Sequence, residues 1–372
     1  MKVVVTGAEG LLGTHAAIRL HAENCAARFR GEPEPMDVTA LDRAAFSDPD
    51  RLAAALAGAD VVLHFAGINR GPAVEVEAGN PAIAERLARA CATADVSPHV
   101  VYANSVQAAL DNPYGRGKAR AGTVLAGIGP CTDLVLPHVF GEGARPFYNN
   151  VTATLIAKLL AGEAPELNPG GRVSLLHAGA AARMAIDAAK AGRTGRVEPE
   201  GRPLGVVDLW DRLRGVHDGY EAGLYPDLSD DFDRDLFNAY RAATYPAGWP
   251  RPLKLNTDAR GTLFEAVKGG GGGQTFLSTT RPGITRGNHF HLSKVERFLV
   301  LSGEAVIRMR KALTRDVREY RVRGDAPSPV DMPTLWTHSI ENVGGTPLLT
   351  LFWTHDLFDP AAPDTYADRV LR

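Results

Sequence analysis

The feature that most constrains this fold is a glycine-rich turn at the start of the chain. The apolar run Lys2–Thr6 leads directly into the motif TGAEGLLG, residues 6–13, and an Ala/Leu-rich helical stretch follows. In such a unit the first glycine permits a tight turn, the second lets the backbone approach a pyrophosphate, and the third allows close packing of the helix. We therefore predict a dinucleotide at the helix N-terminus. The predicted contacts from this motif are Thr6, Gly7, Gly10, Leu11, Leu12 and Gly13.

Short apolar runs alternate with longer helical patterns over the first 245 residues. The runs Asp60–His64, His99–Tyr102 and Thr132–Leu136 have the continuous apolar character of strands that are buried on both faces. Helical spacing is present over Pro81–Ala94 and Val151–Leu160. This alternation predicts an α/β domain with a Rossmann-type, doubly wound parallel sheet.

The sequence pattern changes after residue 245. Three prolines in Tyr245–Leu253 interrupt both helix and strand, and we interpret 246–253 as a linker. From residue 254 onward, short alternating runs such as Glu296–Leu301 and Leu348–Trp353 are separated by turn residues. We therefore predict two domains, an α/β domain over 1–245 and an antiparallel all-β barrel or sandwich over 254–372.

Composition excludes several classes of protein. The 41 Lys and Arg residues against 43 Asp and Glu residues give a net charge of −2, so no cationic excess exists to drive binding to nucleic acid. No apolar stretch approaches the roughly 20 residues that span a bilayer. The 3 cysteines are too few for a disulfide framework, and we expect a cytoplasmic protein.

Tyr114 and Lys118 lie four residues apart at the start of a predicted helix, so their side chains face the same side. An ammonium group beside a phenol, together with the charge of the cofactor, lowers the phenol pKa, which would let Tyr114 relay a proton at neutral pH. The TGxxGxxG spacing, the segment 64–67 (HFAG) and the Tyr114–Lys118 pair resemble the extended short-chain dehydrogenase/reductase family. This resemblance implies that Ser105 polarises the substrate carbonyl beside Tyr114 and Lys118. It also implies cofactor contacts from Ala66, Gly67 and Lys118.

The choice of dinucleotide depends on the second strand, which we place at Cys25–Phe29. This strand would be followed by arginines rather than by an acidic residue that could bind a ribose 2′-hydroxyl. Because guanidinium groups suit a 2′-phosphate, Arg28 and Arg30 favour NADP(H) over NAD(H). Asp37 is either a contact to the adenine edge or a solvated acid in a loop.

Imidazole and carboxylate side chains recur at metal-ligand spacing in the C-terminal half. His289 and His291 are two residues apart on a predicted strand and would face the same side, while Glu296 begins the next strand. His338 comes from a distant strand. Histidines with a carboxylate suit Zn, Mn, Fe or Ni and leave positions open for a substrate oxygen. We predict a divalent metal, with Zn as first choice, and leave open which of the four groups ligate.

Two C-terminal segments, 287–303 and 333–342, match the two motifs of the cupin family, except that Leu335 stands where a glycine is usual. That resemblance implies a cupin β-barrel. Longer stretches also resemble one bifunctional family along essentially the whole chain, namely the capsular-polysaccharide enzymes of CapF type. These stretches are Asn104–Ala108, Asp111–Gly115, Pro282–His289 and Asp359–Tyr366.

The CapF-type resemblance implies a nucleotide-sugar epimerase/reductase that forms a homodimer through its cupin domain. The cupin would epimerise C3 of a UDP-2-acetamido-2,6-dideoxy-4-hexulose, and the reductase would then reduce the C4 ketone with NADPH. The base at C3 is left open among Lys294, Tyr366 and a metal-bound water. Because Pro137–Val139 and His177–Ala180 depart from the family pattern, a different keto-sugar or nucleoside-derived substrate is the alternative. A non-catalytic NADP(H)-sensing protein is a third hypothesis.

Overall fold

The computed structural model describes all 372 residues, which divide into two compact units. The N-terminal unit comprises Met1–Thr154 and Glu166–Asp208, and the C-terminal unit comprises Leu155–Pro165 and Leu209–Arg372. Residues 209–245 therefore belong to the C-terminal unit. One of their contacts within this unit is the hydrogen bond that Tyr220 donates to Asp331 at 2.5 Å. The predicted domain limits at 245 and 254 follow a change in sequence pattern, and they stay a prediction.

Nine strands form two sheets in the N-terminal unit. A six-stranded parallel sheet has the order β2-β1-β3-β4-β5-β8, and a smaller sheet has the order β6-β7-β9. The strands are Lys2–Thr6 (β1), Asp37–Leu41 (β2), Val61–His64 (β3), His99–Ser105 (β4), Cys131–Leu136 (β5), His138–Phe140 (β6), Arg172–His177 (β7), Gly195–Val197 (β8) and Arg202–Gly205 (β9). The predicted Rossmann-type parallel sheet is confirmed.

Nine α-helices and one 3-10 helix, Val106–Ala109, complete the helical content. None of them combines the length and the hydropathy needed to cross a membrane. The α-helices are Leu11–Phe29 (α1), Arg43–Ser47 (α2), Pro49–Leu56 (α3), Ala73–Thr93 (α4), Pro113–Ala126 (α5), Val151–Leu160 (α6), Ala178–Lys190 (α7), Val206–Glu221 (α8) and Asp231–Thr244 (α9).

The apolar strands of the parallel sheet are buried on both faces. Alternate residues of β1 point to opposite sides, so Val3 and Val5 pack in one cluster with α1 and α7, whereas Val4 packs in another with α3, α4 and α5. Burial on both sides explains why the sequence of β1 is a continuous apolar run rather than an alternating one. The strand order reverses at β1, which has β2 on one side and β3 on the other. Ligands of open α/β sheets bind at the carboxyl ends of strands at this point.

The predicted second strand at Cys25–Phe29 is wrong, because these residues continue α1 to its end at Phe29. The true second strand is Asp37–Leu41, which pairs in parallel with β1 from Lys2 opposite Asp37 to Thr6 opposite Leu41. It lies at the sheet edge and is only partly buried, so it lacks the continuous apolar run of its neighbours.

The C-terminal unit is dominated by two antiparallel sheets. Their orders are β18-β17-β20-β15-β22 and β14-β21-β16-β19, while β10 with β13 and β11 with β12 form separate pairs. The strands are Leu224–Tyr225 (β10), Asn256–Asp258 (β11), Gly261–Leu263 (β12), Lys268–Gly269 (β13), Gln274–Thr280 (β14), Thr285–Phe290 (β15), Glu296–Ser302 (β16), Glu304–Lys311 (β17), Val317–Arg323 (β18), Val330–Met332 (β19), Trp336–Asn342 (β20), Leu348–Thr354 (β21) and Tyr366–Ala367 (β22).

One hydrophobic cluster joins the two antiparallel sheets. Ile307 and Ile340 come from one sheet, and Phe298 and Phe352 come from the other. Aromatic and branched residues at alternate positions thus point from both sheets into a shared core, as in packed β-sheets generally. The predicted antiparallel, β-rich C-terminal part is confirmed.

Candidate active sites

The glycine turn lies at the carboxyl end of β1, where the strand order reverses. Gly7 has a φ of +66°, and a Cβ added there would lie 2.7 Å from the backbone nitrogen of Ala66. A Cβ on Gly13 would lie 2.1 Å from the carbonyl oxygen of Gly7. Thr6 Oγ1 accepts a hydrogen bond from the N–H of Ala66 at 3.3 Å. The turn after β1 and the segment after β3 therefore meet with no room for larger residues.

The start of α1 fits a pyrophosphate. The N-cap residue Gly10 makes no side-chain capping hydrogen bond. Consequently the N–H groups of Leu11, Leu12 and Gly13 have neither an intrahelical acceptor nor a capping side chain. Unsatisfied donors at a helix N-terminus are a binding site for phosphate. The residues predicted from the motif, together with Ala66 and Gly67, are those that would hold the dinucleotide.

The structure does not bring Arg28, Arg30 or Asp37 to this turn. Arg28 lies near the far end of α1, about 25 Å along the helix axis from its first residue. Arg28 pairs with Glu34, and Arg30 pairs with Glu32, each at 2.6 Å. Asp37 is paired with Lys2 at the amino ends of the strands, opposite to the edge where ligands bind. The argument from these residues for a 2′-phosphate contact is therefore wrong.

Asp42 and Arg43, which were not predicted from the sequence, lie at the carboxyl end of the observed second strand. They directly follow β2, whose last residue Leu41 lies opposite Thr6. Asp42 caps α2 by accepting a hydrogen bond from the N–H of Ala45 at 2.6 Å, and Arg43 is exposed. The signal available in the sequence was an aspartate placed before a short helical pattern, which is typical of an N-cap.

Ser105, Tyr114 and Lys118 are brought to one region of the N-terminal unit. Ser105 ends β4, while Tyr114 and Lys118 lie one turn apart near the start of α5. A Cβ on Gly115 would lie 2.2 Å from the carbonyl oxygen of Gln107, so the glycine after Tyr114 allows α5 to pack against the 3-10 helix that follows Ser105. Burial raises the pKa of Tyr114, and a hydrogen bond with Ser105 partly opposes this shift.

Lys118 is a buried amine. Its Nζ donates a hydrogen bond to the carbonyl of Ala103 at 2.5 Å and lies 4.2 Å from the ring centroid of Tyr102. Burial lowers the pKa of Lys118 to about 7, although the charge of Asp133 acts in the opposite direction. In the protein chain alone the pKa of Tyr114 is raised by burial, and its lowering by Lys118 together with the charge of the cofactor stays a prediction.

The four predicted metal ligands form one cluster in the C-terminal unit. His289 in β15 lies directly opposite His338 in β20, with 4.7 Å between ring centroids. His291 follows β15, and Glu296 begins β16 in the other sheet. Glu296 Oε2 lies 3.1 Å from His291 Nε2 and 3.2 Å from His338 Nε2. The cluster therefore joins the two antiparallel sheets.

The hydrogen bonds around the cluster direct nitrogen atoms toward the carboxylate. His291 Nδ1 donates to the carbonyl of Asp364 at 2.6 Å, and His338 Nδ1 donates to the carbonyl of Trp336 at 3.2 Å. His289 Nε2 and His338 Nε2 are buried without a hydrogen-bond partner, since His338 Nε2 is close to Glu296 but not in hydrogen-bond geometry. Buried polar atoms without partners are costly, and a divalent cation would satisfy them. The residues present therefore fit a metal of the His/carboxylate class.

The charges at the cluster suit metal binding. Burial, the largest single influence, would raise the pKa of Glu296, but the combined interactions with His291 and His338 outweigh it and hold this pKa well below the usual range. Burial, reinforced by the neighbouring imidazoles, holds the pKa of His289 well below its ordinary value. An ionised carboxylate and a neutral imidazole are the forms that coordinate a metal.

Lys294 and Tyr366, the two side chains considered as the base at C3, have different surroundings. Tyr366 in β22 pairs with Phe290 in β15, with 5.4 Å between ring centroids. Because adjacent residues of a strand point to opposite faces, Phe290 and Tyr366 share the face away from His289. Lys294 lies close enough to His289 for its charge to lower the pKa of that imidazole. Of the two, Lys294 is therefore the side chain whose charge reaches the cluster, although its Nζ donates a hydrogen bond to the carbonyl of Pro363.

A second group of similar residues lies in the N-terminal unit and has a different character. His15, Glu142 and His177 are all buried, and His177 belongs to the segment that departs from the family pattern. His177 Nε2 donates to the carboxylate of Glu142 at 2.7 Å, and His15 Nε2 donates to its backbone carbonyl at 3.0 Å. Both imidazoles thus already have protein partners at these nitrogens, unlike His289 and His338, whose Nε2 atoms have no hydrogen-bond partner.

Two family models match consecutive parts of the chain. The model of the NAD dependent epimerase/dehydratase family matches residues 3–197. The model described as polysaccharide biosynthesis C-terminal domain matches residues 256–366. A curated relative, UDP-2-acetamido-2,6-beta-L-arabino-hexul-4-ose reductase of Pseudomonas aeruginosa, is 28% identical over 380 aligned positions, which cover 100% of this chain and 99% of that protein.

Two solved structures are also similar to this chain. The capsular polysaccharide assembling protein CapF of Staphylococcus aureus is 28% identical, with a TM-score of 0.59 and coverage of 100% of both chains. A UDP-N-acetylglucosamine 4-epimerase of Methanobrevibacter ruminantium is 18% identical, with a TM-score of 0.52 over 65% of this chain and 97% of the other. At that identity the second match shows the fold alone.

Proposed function

Because this chain belongs to the NAD dependent epimerase/dehydratase family, we propose that it is a bifunctional epimerase and reductase of a UDP-linked keto-sugar. The C-terminal unit, as a cupin-type barrel, would epimerise C3 of a UDP-2-acetamido-2,6-dideoxy-4-hexulose. The N-terminal unit would then reduce the C4 ketone with NADPH. The observation that carries this proposal is the end-to-end similarity to a hexul-4-ose reductase, which includes both the coenzyme unit and the His/Glu cluster.

The epimerisation is assigned to the four-residue cluster. His289, His291, Glu296 and His338 would hold a divalent cation, with Zn as first choice. Such an ion would act as a Lewis acid and neutralise the charge that develops on the C4 oxygen as the C3 proton leaves. Lys294, whose charge reaches His289, is the proposed acceptor of that proton, and water returns a proton to the opposite face of C3.

The reduction is assigned to Ser105, Tyr114 and Lys118. Ser105 donates a hydrogen bond to the C4 oxygen and polarises the ketone. Bound NADPH would supply the hydride to C4, and Tyr114 would donate its O–H proton to the C4 oxygen, which becomes the new hydroxyl. Lys118, with a pKa lowered to about 7 by burial, can exchange a proton at neutral pH and thereby return Tyr114 to its protonated form.

The test is incubation of the metal-loaded protein with the UDP-linked 4-hexulose and NADPH in D2O. We expect consumption of NADPH and deuterium at C3 of the product. Tyr114→Phe should stop NADPH consumption and leave deuterium exchange at C3 intact, because the two sites are separate. A protein with bound coenzyme and metal that consumes no NADPH with this sugar would reject the proposed substrate.

The preference for NADPH is now assigned to Arg43, since it follows the carboxyl end of β2 where a 2′-phosphate would lie. Arg43→Gln should weaken NADPH binding by about 10-fold to 100-fold, the loss of one charge-assisted contact of roughly 1.5–3 kcal/mol. NADH binding should be unchanged. Arg28→Gln is the matched control and should affect neither coenzyme. Equal losses for both coenzymes with Arg43→Gln would contradict the assignment.

A second substrate class remains a candidate because of the departures at Pro137–Val139 and His177–Ala180. His177, one of the departing residues, is paired with the buried carboxylate of Glu142. Activity with another nucleotide-linked keto-sugar, and none with the UDP-linked hexulose, would favour this alternative.

We also propose a homodimer formed through the C-terminal unit. β14 is an edge strand that leaves Phe276 and Leu277 exposed by 41% and 61%, and the hairpin Asn256–Leu263 is exposed throughout. Unpaired edges with apolar side chains favour pairing with another chain. Sedimentation equilibrium should give twice the chain mass, and Leu277→Lys should weaken the association.

A further inference from the structure

The C-terminal segment Pro363–Arg372, which we call the strap, runs beside the metal cluster. Its strand β22 pairs with β15 at Ala367 opposite His289. Building on the metal centre proposed above, we infer that the strap is part of that centre and that Asp364 and Arg310 are positioning residues for its ligands. The contacts of the strap with the cluster carry this inference.

Asp364 holds one ligand ring and the loop to the next ligand. Its backbone carbonyl accepts the hydrogen bond from His291 Nδ1 at 2.6 Å. Its carboxylate accepts hydrogen bonds from three successive backbone N–H groups, those of Leu292, Ser293 and Lys294, at 3.0, 2.9 and 2.8 Å. These three residues belong to the connection between His291 and Glu296. One residue therefore fixes both the ring orientation and the path of the chain between two ligands.

The rest of the strap contacts the residues that precede the other two imidazoles. The carbonyl of Asn288, the neighbour of His289, accepts a hydrogen bond from the N–H of Asp368 at 2.8 Å. The hydroxyl of Thr337, the neighbour of His338, donates to the Asp368 carboxylate at 3.0 Å. Each histidine of the cluster is thus held by the strap either directly or through the adjacent residue.

Arg310 anchors the strap from β17. Its side chain is 1% exposed, and Nη2 donates to the carboxylate of Asp368 at 2.7 Å and to the carbonyl of Arg369 at 2.7 Å. Nε donates to the carbonyl of Val370 at 3.0 Å. A buried guanidinium that satisfies one carboxylate and two carbonyls of the same segment fixes that segment in one position.

Groups behind the ligands set the tautomer and orientation of metal-bound histidines, and their loss typically costs 10-fold to 100-fold in metal affinity. A strap that served stability alone would leave metal affinity unchanged in a folded variant. The two roles are therefore distinguished by measuring Zn²⁺ affinity and unfolding on the same proteins.

The experiment compares the full-length wild-type protein with Asp364→Ala, Asp364→Asn and Arg310→Met. Arg308→Met is the matched control, since Arg308 lies on the same strand but pairs with Glu319 and Glu341 rather than with the strap. Zn²⁺ affinity is measured by competition with a chromophoric chelator, and the visible absorption of bound Co²⁺ reports ligand geometry. Urea unfolding of each metal-free protein is recorded in parallel.

We expect Asp364→Ala and Arg310→Met to bind Zn²⁺ about 10-fold to 100-fold more weakly and to change the Co²⁺ spectrum. Asp364→Asn, which keeps an acceptor oxygen and tolerates the φ of +41°, should lie between Asp364→Ala and wild type. If Arg310→Met does not fold, the two Asp364 variants still test the inference about the strap. Folded strap variants with wild-type affinity and spectrum would overturn this inference alone. A wild-type protein that binds no metal would overturn it together with the proposed metal centre.

Discussion

Replacing Gly13 with alanine tests the coenzyme site through a single methyl group. The added Cβ would lie 2.1 Å from the carbonyl oxygen of Gly7 and 2.7 Å from Ala8 Cα, and both are backbone atoms that no rotamer change can move. The start of α1 must therefore shift relative to the turn by about 1 Å to restore van der Waals contact. Overpacking of this kind typically costs about 1–3 kcal/mol. If binding requires the unshifted helix, this cost corresponds to a loss of about 5-fold to 140-fold in coenzyme affinity.

The assay is a fluorescence titration of Gly13→Ala with NADPH, together with Zn²⁺ binding to the same protein. Zn²⁺ affinity should be unchanged, because the His/Glu cluster is in the other unit. Gly122→Ala is the control, since its Cβ would be in ordinary van der Waals contact with the Tyr102 ring at 3.6 Å and Asn104 Nδ2 at 3.8 Å, and alanine favours a helix interior by about 0.5–1 kcal/mol. A folded Gly13→Ala protein with wild-type NADPH affinity would refute the assignment of this turn to the coenzyme.

Two further predictions concern buried charges. Lys118→Met should abolish NADPH consumption. It should also raise the free energy of unfolding at pH 7 by about 1–4 kcal/mol, because burial opposes the charged amine. Urea unfolding measures this change, and a less stable variant would contradict the prediction. Asp331 is buried with Arg297, and its pKa is lowered to about 2, since the charge of Arg297 and the hydrogen bonds from Arg297 and Tyr220 together outweigh burial. The ionised Asp331 therefore contributes about 2 kcal/mol to the free energy of unfolding. This contribution is present above pH ~4 and should be lost as the pH falls toward 2. Asp331→Asn should be less stable at neutral pH and lack this part of the pH dependence in urea titrations, and an unchanged pH profile would count against the pair.

The coenzyme turn was predictable because its requirements are local. Gly7, Gly10 and Gly13 are needed by contacts within the turn and with the adjacent strand, so their spacing is visible in the sequence. The second strand was not predictable in the same way. The partly exposed edge strand Asp37–Leu41 begins with a charged residue and lacks a buried apolar run, whereas Cys25 and Ala27 are buried by the helix that contains them.

The His/Glu cluster was predictable only in part. The spacing of His289 and His291 suggested one strand face, but β15 has an irregularity between Gly287 and His289 and ends at Phe290. The position of His291 is instead fixed by Asp364, which lies 73 residues further along the chain. A contact over that distance leaves no periodic signal. For the same reason, the sequence does not predict that Arg310 is almost completely buried.

The most direct test of the central proposal is NMR analysis of the product formed from the UDP-linked 4-hexulose and NADPH in D2O, for wild type and for His338→Gln. The account predicts deuterium at C3 of the wild-type product, and neither deuterium incorporation nor C3 inversion with His338→Gln, although its NADPH affinity is unchanged. Deuterium incorporation at the wild-type rate in His338→Gln would contradict the assignment of epimerisation to the C-terminal cluster.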